Sequence, residues 1–396
     1  MLLSIALLFV FGMGLGVLCK KVHIPPLFGM IIAGVVLGPS VLNWMAPELL
    51  TISSALRKIA LVIILLRAGL SLDVTDLKKV GRPALLMCFV PACFEMAGTI
   101  VLAPILLGVT RVEAAVLAAA LAAVSPAVIV PKMLKLMEEG YGTRQSIPQM
   151  ILAGASVDDV FVIVMFATFT EMAKGGSVSL AKIAGVPLSI VLGVLVGILA
   201  GWLLGEAFRR IHVRDTMKVV ILLCLSFFLV TLEDEISIVP FSGLLAIMTV
   251  GITMKKKREP VASRLSIKFN KIWVVAEVVL FVLVGATVDI RYVKQAGLPV
   301  VGLILTVLVI RMIGVWVSLV GTKLKGKERL FCMFAYCPKA TVQAAIGGVP
   351  LAMGLSCGNI VLTVAVLSIL ITAPLGAFLI DLTHGKCLEK DGTDMI

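Results

Sequence analysis

Long apolar runs alternate with short polar turns along the whole 396-residue chain. Windows of about 20 apolar residues, the length a helix needs to cross hydrocarbon roughly 30 Å thick, recur thirteen times. They cover 2–19, 26–45, 54–72, 83–107, 112–137, 147–172, 181–207, 217–232, 237–254, 269–288, 297–322, 328–350 and 359–382. The pattern predicts an all-α polytopic membrane protein with about 13 transmembrane helices. Two runs are interrupted. The fifth contains Ala122-Ala123-Val124-Ser125-Pro126-Ala127-Val128-Ile129-Val130-Pro131, and the twelfth contains Cys337-Pro338-Lys339-Ala340-Thr341-Val342-Gln343, followed by the pair Gly347-Gly348. Proline lacks an amide donor and its ring clashes with the preceding turn. Pro126 and Pro131 are therefore expected to break the fifth span, and Pro338 the twelfth, near mid-membrane.

Composition agrees with the pattern: 60% of the residues are hydrophobic and 15% charged, too little polar surface for a soluble chain of this length. The net charge of +12 does not point to nucleic acid, because the basic residues lie in the turns between spans. With the N-terminus outside, twenty-five of the 35 basic residues face the cytoplasm, among them Lys20, Lys21, Lys78, Lys79, Arg209, Arg210 and the Lys255–Arg258 cluster. Seven face the other side: Arg57, Lys58, Arg111, Lys174, Lys182, Arg291 and Lys294. This bias predicts an N-out, C-in topology. The first span has no basic region before it and no small-residue cleavage site, so it reads as a retained span. The eight cysteines form no CxxC pair and read as packing thiols. No Walker A motif appears, so ATP-driven pumping is disfavoured; no nucleotide and no cofactor is expected.

Seven ionisable residues remain inside the spans: Arg67, Glu95, Asp158, Asp159, Glu277, Arg311 and Lys339. Each costs at least roughly 2.5–3.5 kcal/mol at the bilayer centre, and such residues usually mark ion or proton pathways. Asp158 and Asp159 are adjacent in the middle of the sixth span and need partners, a proton or a cation. A proton and a small hard cation would compete for the same carboxylate oxygens. Ser125, Ser156 or carbonyls freed by Pro126 could complete an oxygen shell for sodium or lithium. Spans five and twelve are seven apart, and an odd offset inverts the second copy. Spans 1–6 and 8–13 then form two inverted repeats, with crossed discontinuous helices at the midplane, as in secondary transporters. That pairing sets Glu95 opposite Arg311 as a structural ion pair and places Lys339 at the crossing, its ammonium available to a carboxylate. Arg67 reads as satisfied by carbonyls or headgroups, Glu277 as a local satisfied acid, and His23, His212 and His384 as surface residues. An intramembrane aspartyl protease is disfavoured, since adjacent acids lie about 100° apart on one helix and cannot flank a scissile bond. A channel or ligand-sensing module on the same scaffold is separated from an exchanger by flux alone.

The Asp158-Asp159 pair, the LFVLVGATVD run of 280–289, Arg311 and the PKATVQAAIG run of 338–347 resemble the monovalent cation:proton antiporter superfamily, in particular its NHA-type sodium/proton branch. The resemblance covers nearly the whole chain. It implies a homodimer in which 1–72 and 217–288 form a dimer domain, 83–172 and 297–382 a moving core, and 181–207 a linker helix. It implies Asp159 as the ion-binding carboxylate with Asp158 as its neighbour, and Arg311, Glu95 and Lys339 as supporting charges. The implied activity is antiport of sodium or lithium against protons, with salt tolerance and pH homeostasis as its task and potassium as the alternative cation.

Overall fold

The computed structural model describes residues 1–22, 24–71, 81–175, 180–211, 213–235, 241–288 and 290–390, and its regular structure is helical throughout. Lys78, Lys79, His23, His212 and Asp289, with the side chains of Ser156, Lys182, Arg291 and Lys294, lie outside the described residues. The helices are α1 (Leu2–Lys21), α2 (Pro26–Leu37), α3 (Pro47–Thr51), α4 (Ser53–Ser71), α5 (Arg82–Met87), α6 (Val90–Leu107), α7 (Arg111–Leu121), α8 (Pro126–Glu138) and α9 (Ile147–Gly175). There follow α10 (Leu180–Arg210), α11 (Asp215–Glu235), α12 (Gly243–Lys257), α13 (Glu259–Ala286), α14 (Ile290–Ser318), α15 (Gly326–Ala335), α16 (Thr341–Ile346), α17 (Val349–Ala352) and α18 (Gly358–Cys387). Among the described residues, eight helical stretches are long and apolar enough to cross a membrane.

The helices pack in two groups. In the first, α13 lies against α1, α2 and α4, while α12 lies against α4, α11 and α13. Contact there is close because glycines remove side chains where backbones meet. A Cβ on Gly34 would lie 1.9 Å from the Val282 carbonyl oxygen, and one on Gly69 would lie 2.3 Å from that of Met248. In the second group α6 pairs with α14, α7 with α6 and α9, and α15 with α18. Helix α10 packs on α12 and also reaches α9, while α16 touches α4 and α13 of the first group.

The run 83–107 forms one apolar stretch of bilayer length, Arg82–Leu107, with a short interruption: α5 ends at Met87 and α6 starts at Val90. Pro91 would clash with the carbonyl of Met87, so the helix restarts around it. Pro131 does not interrupt its segment, since α8 runs through it from Pro126 to Glu138. At the sixth residue of a helix its missing amide forfeits a single bond, whereas Pro126 stands at the first position, where none is lost. Arg57, counted among the charges of the outer turns, lies within α4 and is 5% exposed. Arg67 lies in α4, which packs on α13, the helix that carries Glu277.

Candidate cation site at the crossing of two broken helices

The first broken segment starts with a capping box. The Thr110 hydroxyl accepts from the Glu113 amide, and Glu113 accepts from the Thr110 amide at 2.8 Å. Residues 114–123 are small or aliphatic and all buried. Helix α7 stops at Leu121 because Ser125 precedes a proline, and pre-proline residues are driven out of the helical region. Ser125 is extended, at φ −98° and ψ 109°, and α8 begins at Pro126. The second segment stops in the same way before Pro338: α15 ends at Ala335 and α16 resumes at Thr341. The breaks cross where the Ser125 amide donates to the Pro338 carbonyl at 2.8 Å.

Unwound backbone inside a bilayer must find partners within the protein. Here they come from other elements. The Leu121 carbonyl accepts from Lys339 Nζ at 2.6 Å and Gln343 Nε2 at 3.0 Å. The Ala122 carbonyl accepts from Arg311, and that of Ala123 from Gln343 Nε2 at 2.7 Å. The Val124 amide donates to Asp158 Oδ2 at 2.8 Å. In the other break the Tyr336 carbonyl accepts from Arg311 Nε at 3.1 Å, and the Lys339 amide donates to Thr372 Oγ1 at 3.0 Å.

The same side chains form a buried charge network. Arg311 reaches Glu95 Oε2 through Nη1 at 3.0 Å and Asp158 Oδ2 through Nη2 at 3.0 Å. Lys339 Nζ meets both oxygens of Glu95, at 2.6 and 2.7 Å. Arg311, Glu95, Asp158 and Lys339 are each at most 1% exposed. Two cations and two carboxylates thus neutralise one another. Asp159 stands outside this arrangement: it is only partly buried and has no ion-pair partner among the described residues. Its Oδ1 has no hydrogen-bond partner, nor have Asp158 Oδ1 and Ser125 Oγ, and all three atoms are buried.

The structure therefore gathers Glu95, Asp158, Arg311, Lys339, Ser125, Pro126 and Pro338 around one crossing, with Asp159 on the same helix as Asp158. Lys339 takes Glu95, whereas Arg311 serves both Glu95 and Asp158. The Ser156 side chain is outside the described residues, and Pro131 lies in α8, beyond the break. Reading the sequence assigned no task to Gln343 or Thr372. Gln343 shares the Leu121 acceptor with Lys339, four residues before it, and its only signal in the sequence is an amide side chain within an apolar run. Thr372 gives no such signal.

A protein-family model described as "Sodium/hydrogen exchanger, transmembrane" matches residues 5–382. Sodium/hydrogen exchanger 9B2 of Mus musculus is 35% identical over 386 residues, covering 93% of this chain and 69% of that protein. Sodium/hydrogen exchanger 9B1 of Homo sapiens is 30% identical over 383 residues, covering 93% and 73%. The solved structure of the sodium proton antiporter MjNhaP1 from Methanocaldococcus jannaschii shares the fold, with a TM-score of 0.85, 18% identity and 97% of both chains covered.

Proposed function

The chain belongs to the sodium/hydrogen exchanger family, and on that premise we propose that it exchanges sodium or lithium for protons at Asp159 by alternating access. The carrying observation is the charge pattern at the crossing. Arg311 and Lys339 are matched by Glu95 and Asp158, which leaves the Asp159 carboxylate as the one acid there without a cation among the described residues. An unmatched charge at membrane depth calls for a proton or one monovalent cation. Asp159 Oδ1, Asp158 Oδ1 and Ser125 Oγ are oxygen atoms that lack donors, as hard-cation ligands would. A proton and a monovalent cation satisfy the same single charge, so turnover exchanges one for one and carries no net charge through this site.

The thirteen segments form two inverted repeats. The group built on α13 and α12 is the scaffold and the dimer interface. The group carrying α7–α9 and α14–α18 is the core, and it moves against the scaffold to expose Asp159 to each side in turn. The protein lies in the cell (inner) membrane with its N-terminus outside, where such exchange supports pH homeostasis and salt tolerance. Small oxygen ligands rank sodium and lithium ahead of potassium.

The test uses purified protein in liposomes containing a pH-sensitive dye. A pH gradient is challenged with sodium, lithium and potassium, for the wild type and Asp159→Asn. Sodium- or lithium-dependent dissipation in the wild type, absent in the variant, is the expected result. Imposing a membrane potential should leave its rate unchanged, and the apparent KM for sodium should rise as pH falls, because protons compete for the carboxylate. Conduction without a counter-ion would make the protein a channel. Equal activity in both proteins would remove Asp159 from the centre.

A further inference from the structure

The glycine pair that closes the second broken segment admits two different neighbours. A Cβ on Gly347 would lie 2.6 Å from the Cβ of Ala365 in α18. A Cβ on Gly348 would lie 2.1 Å from Arg57 Nη1 and 2.8 Å from both its Cζ and Nη2. The guanidinium of Arg57, in α4, therefore rests directly on the Gly348 backbone. It does so across the boundary between the two helix groups, where α4 and α16 pack together.

This cation is poorly compensated. Arg57 is 5% exposed, its Nε makes one long bond to the Ser53 carbonyl of its own helix at 3.4 Å, and Nη1 is buried with no partner. No carboxylate pairs with it among the described residues. A buried charge without a counter-ion is strongly unfavourable, so packing of α4 on α16 holds the guanidinium here, not attraction. A movement that withdraws α16 and α17 from α4 would return it to water.

We propose that Arg57 is a positioning residue for alternating access. Seated on Gly348 it closes the boundary on the side that the proposed topology places outside. Its desolvation then limits how strongly that closed arrangement is favoured over the open one. This inference rests on the exchange reading above, in which the two groups move against each other. Two substitutions should push the equilibrium in opposite directions. Arg57→Met keeps an unbranched stem without the charge and should favour closure. Gly348→Ala fills the seat and should disfavour it. The effect of Gly348→Ala should disappear once Arg57 is truncated, because the two side chains then no longer compete for one space.

The experiment measures deuterium uptake across residues 341–352 in purified full-length protein for the wild type, Arg57→Met, Gly348→Ala, Arg57→Ala and the Arg57→Ala/Gly348→Ala double variant. Uptake slower by about tenfold in Arg57→Met and faster by about tenfold in Gly348→Ala is expected, with the double variant matching Arg57→Ala alone. In oriented proteoliposomes the same variants should move the apparent sodium KM in opposite directions on the two faces. A merely structural lesion would lower the amount of active protein and leave both KM values in place. Faster uptake in Arg57→Met, or a double variant that keeps the full effect of Gly348→Ala, would overturn the assignment. Should the wild type show no cation–proton exchange while the uptake pattern holds, the exchange reading falls and the closure role of Arg57 stands.

Discussion

The two broken segments meet at one point and contribute opposite things. The first, through Leu121, Ala122, Ala123, Val124 and Ser125, supplies backbone: three carbonyls and two amides that accept from or donate to groups of other elements. The second supplies chiefly side chains, Lys339 and Gln343, which bond that backbone, together with the Pro338 carbonyl that accepts from the Ser125 amide. Small residues in one strand are what allow long polar side chains from elsewhere to reach its carbonyls. A break inside a membrane is thus stabilised by a division of labour between the two broken segments, joined by Arg311 from α14.

If that division is right, sensitivity should follow the number of groups each side chain serves. Arg311→Met should have the largest effect. It strips a donor from Ala122 and Tyr336 and a cation from both Glu95 and Asp158. Leaving buried carboxylates uncompensated costs about 3–5 kcal/mol. A steep loss of monodisperse protein and of melting temperature in detergent is expected; an equally stable variant would break the comparison at its centre. Lys339→Met should cost less, about 2–3 kcal/mol, since Glu95 keeps Arg311 and the Leu121 carbonyl keeps Gln343. Adding Glu95→Gln to Lys339→Met should recover part of that loss, which a melting series on the single and double variants would read. Gln343→Leu should cost about 1–2 kcal/mol, because the Ala123 carbonyl loses its donor. Its local signature is faster deuterium exchange at the amides of Val124 and Ser125. Unchanged exchange there would mean that the strand holds itself.

Much of this was legible in the chain, and the failures share a cause. Apolar runs of about 20 residues locate helices because a helix satisfies its whole backbone within one segment inside hydrocarbon. The offset between the two interruptions was enough to set Glu95 against Arg311, which the structure brings to 3.0 Å. Pro126 and Pro338 broke their segments because each forces the residue before it out of the helix. Pro131 did not, since the penalty of a proline depends on where its missing amide falls within a helix that another residue starts. Arg57 was read as a turn charge because a turn and a first helical turn look alike until the neighbour is known; its guanidinium lies against Gly348, nearly 300 positions further along the chain. The bond from the Lys339 amide to Thr372 has the same character. Local pattern shows which residues are costly, while only packing shows which of them satisfy one another.

The smallest predicted effect on the fold tests the one side chain the first break offers. Ser125 is fully buried, yet its Oγ has no protein partner, while its amide is already bound to Pro338. Removing the hydroxyl should therefore leave the crossing intact, and Ser125→Ala should melt within about 0.5 kcal/mol of the wild type. If the hydroxyl is instead a cation ligand beside Asp159, its loss appears only when the ion binds. The apparent KM for sodium should then rise about fivefold, the equivalent of about 1 kcal/mol. Sodium should also raise the melting temperature of the variant less than that of the wild type. A lower melting temperature without sodium would make Ser125 part of the framework. An unchanged KM at unchanged stability would take Ser125 out of the coordination shell, leaving the carboxylates of Asp158 and Asp159 to hold the ion with backbone oxygens alone.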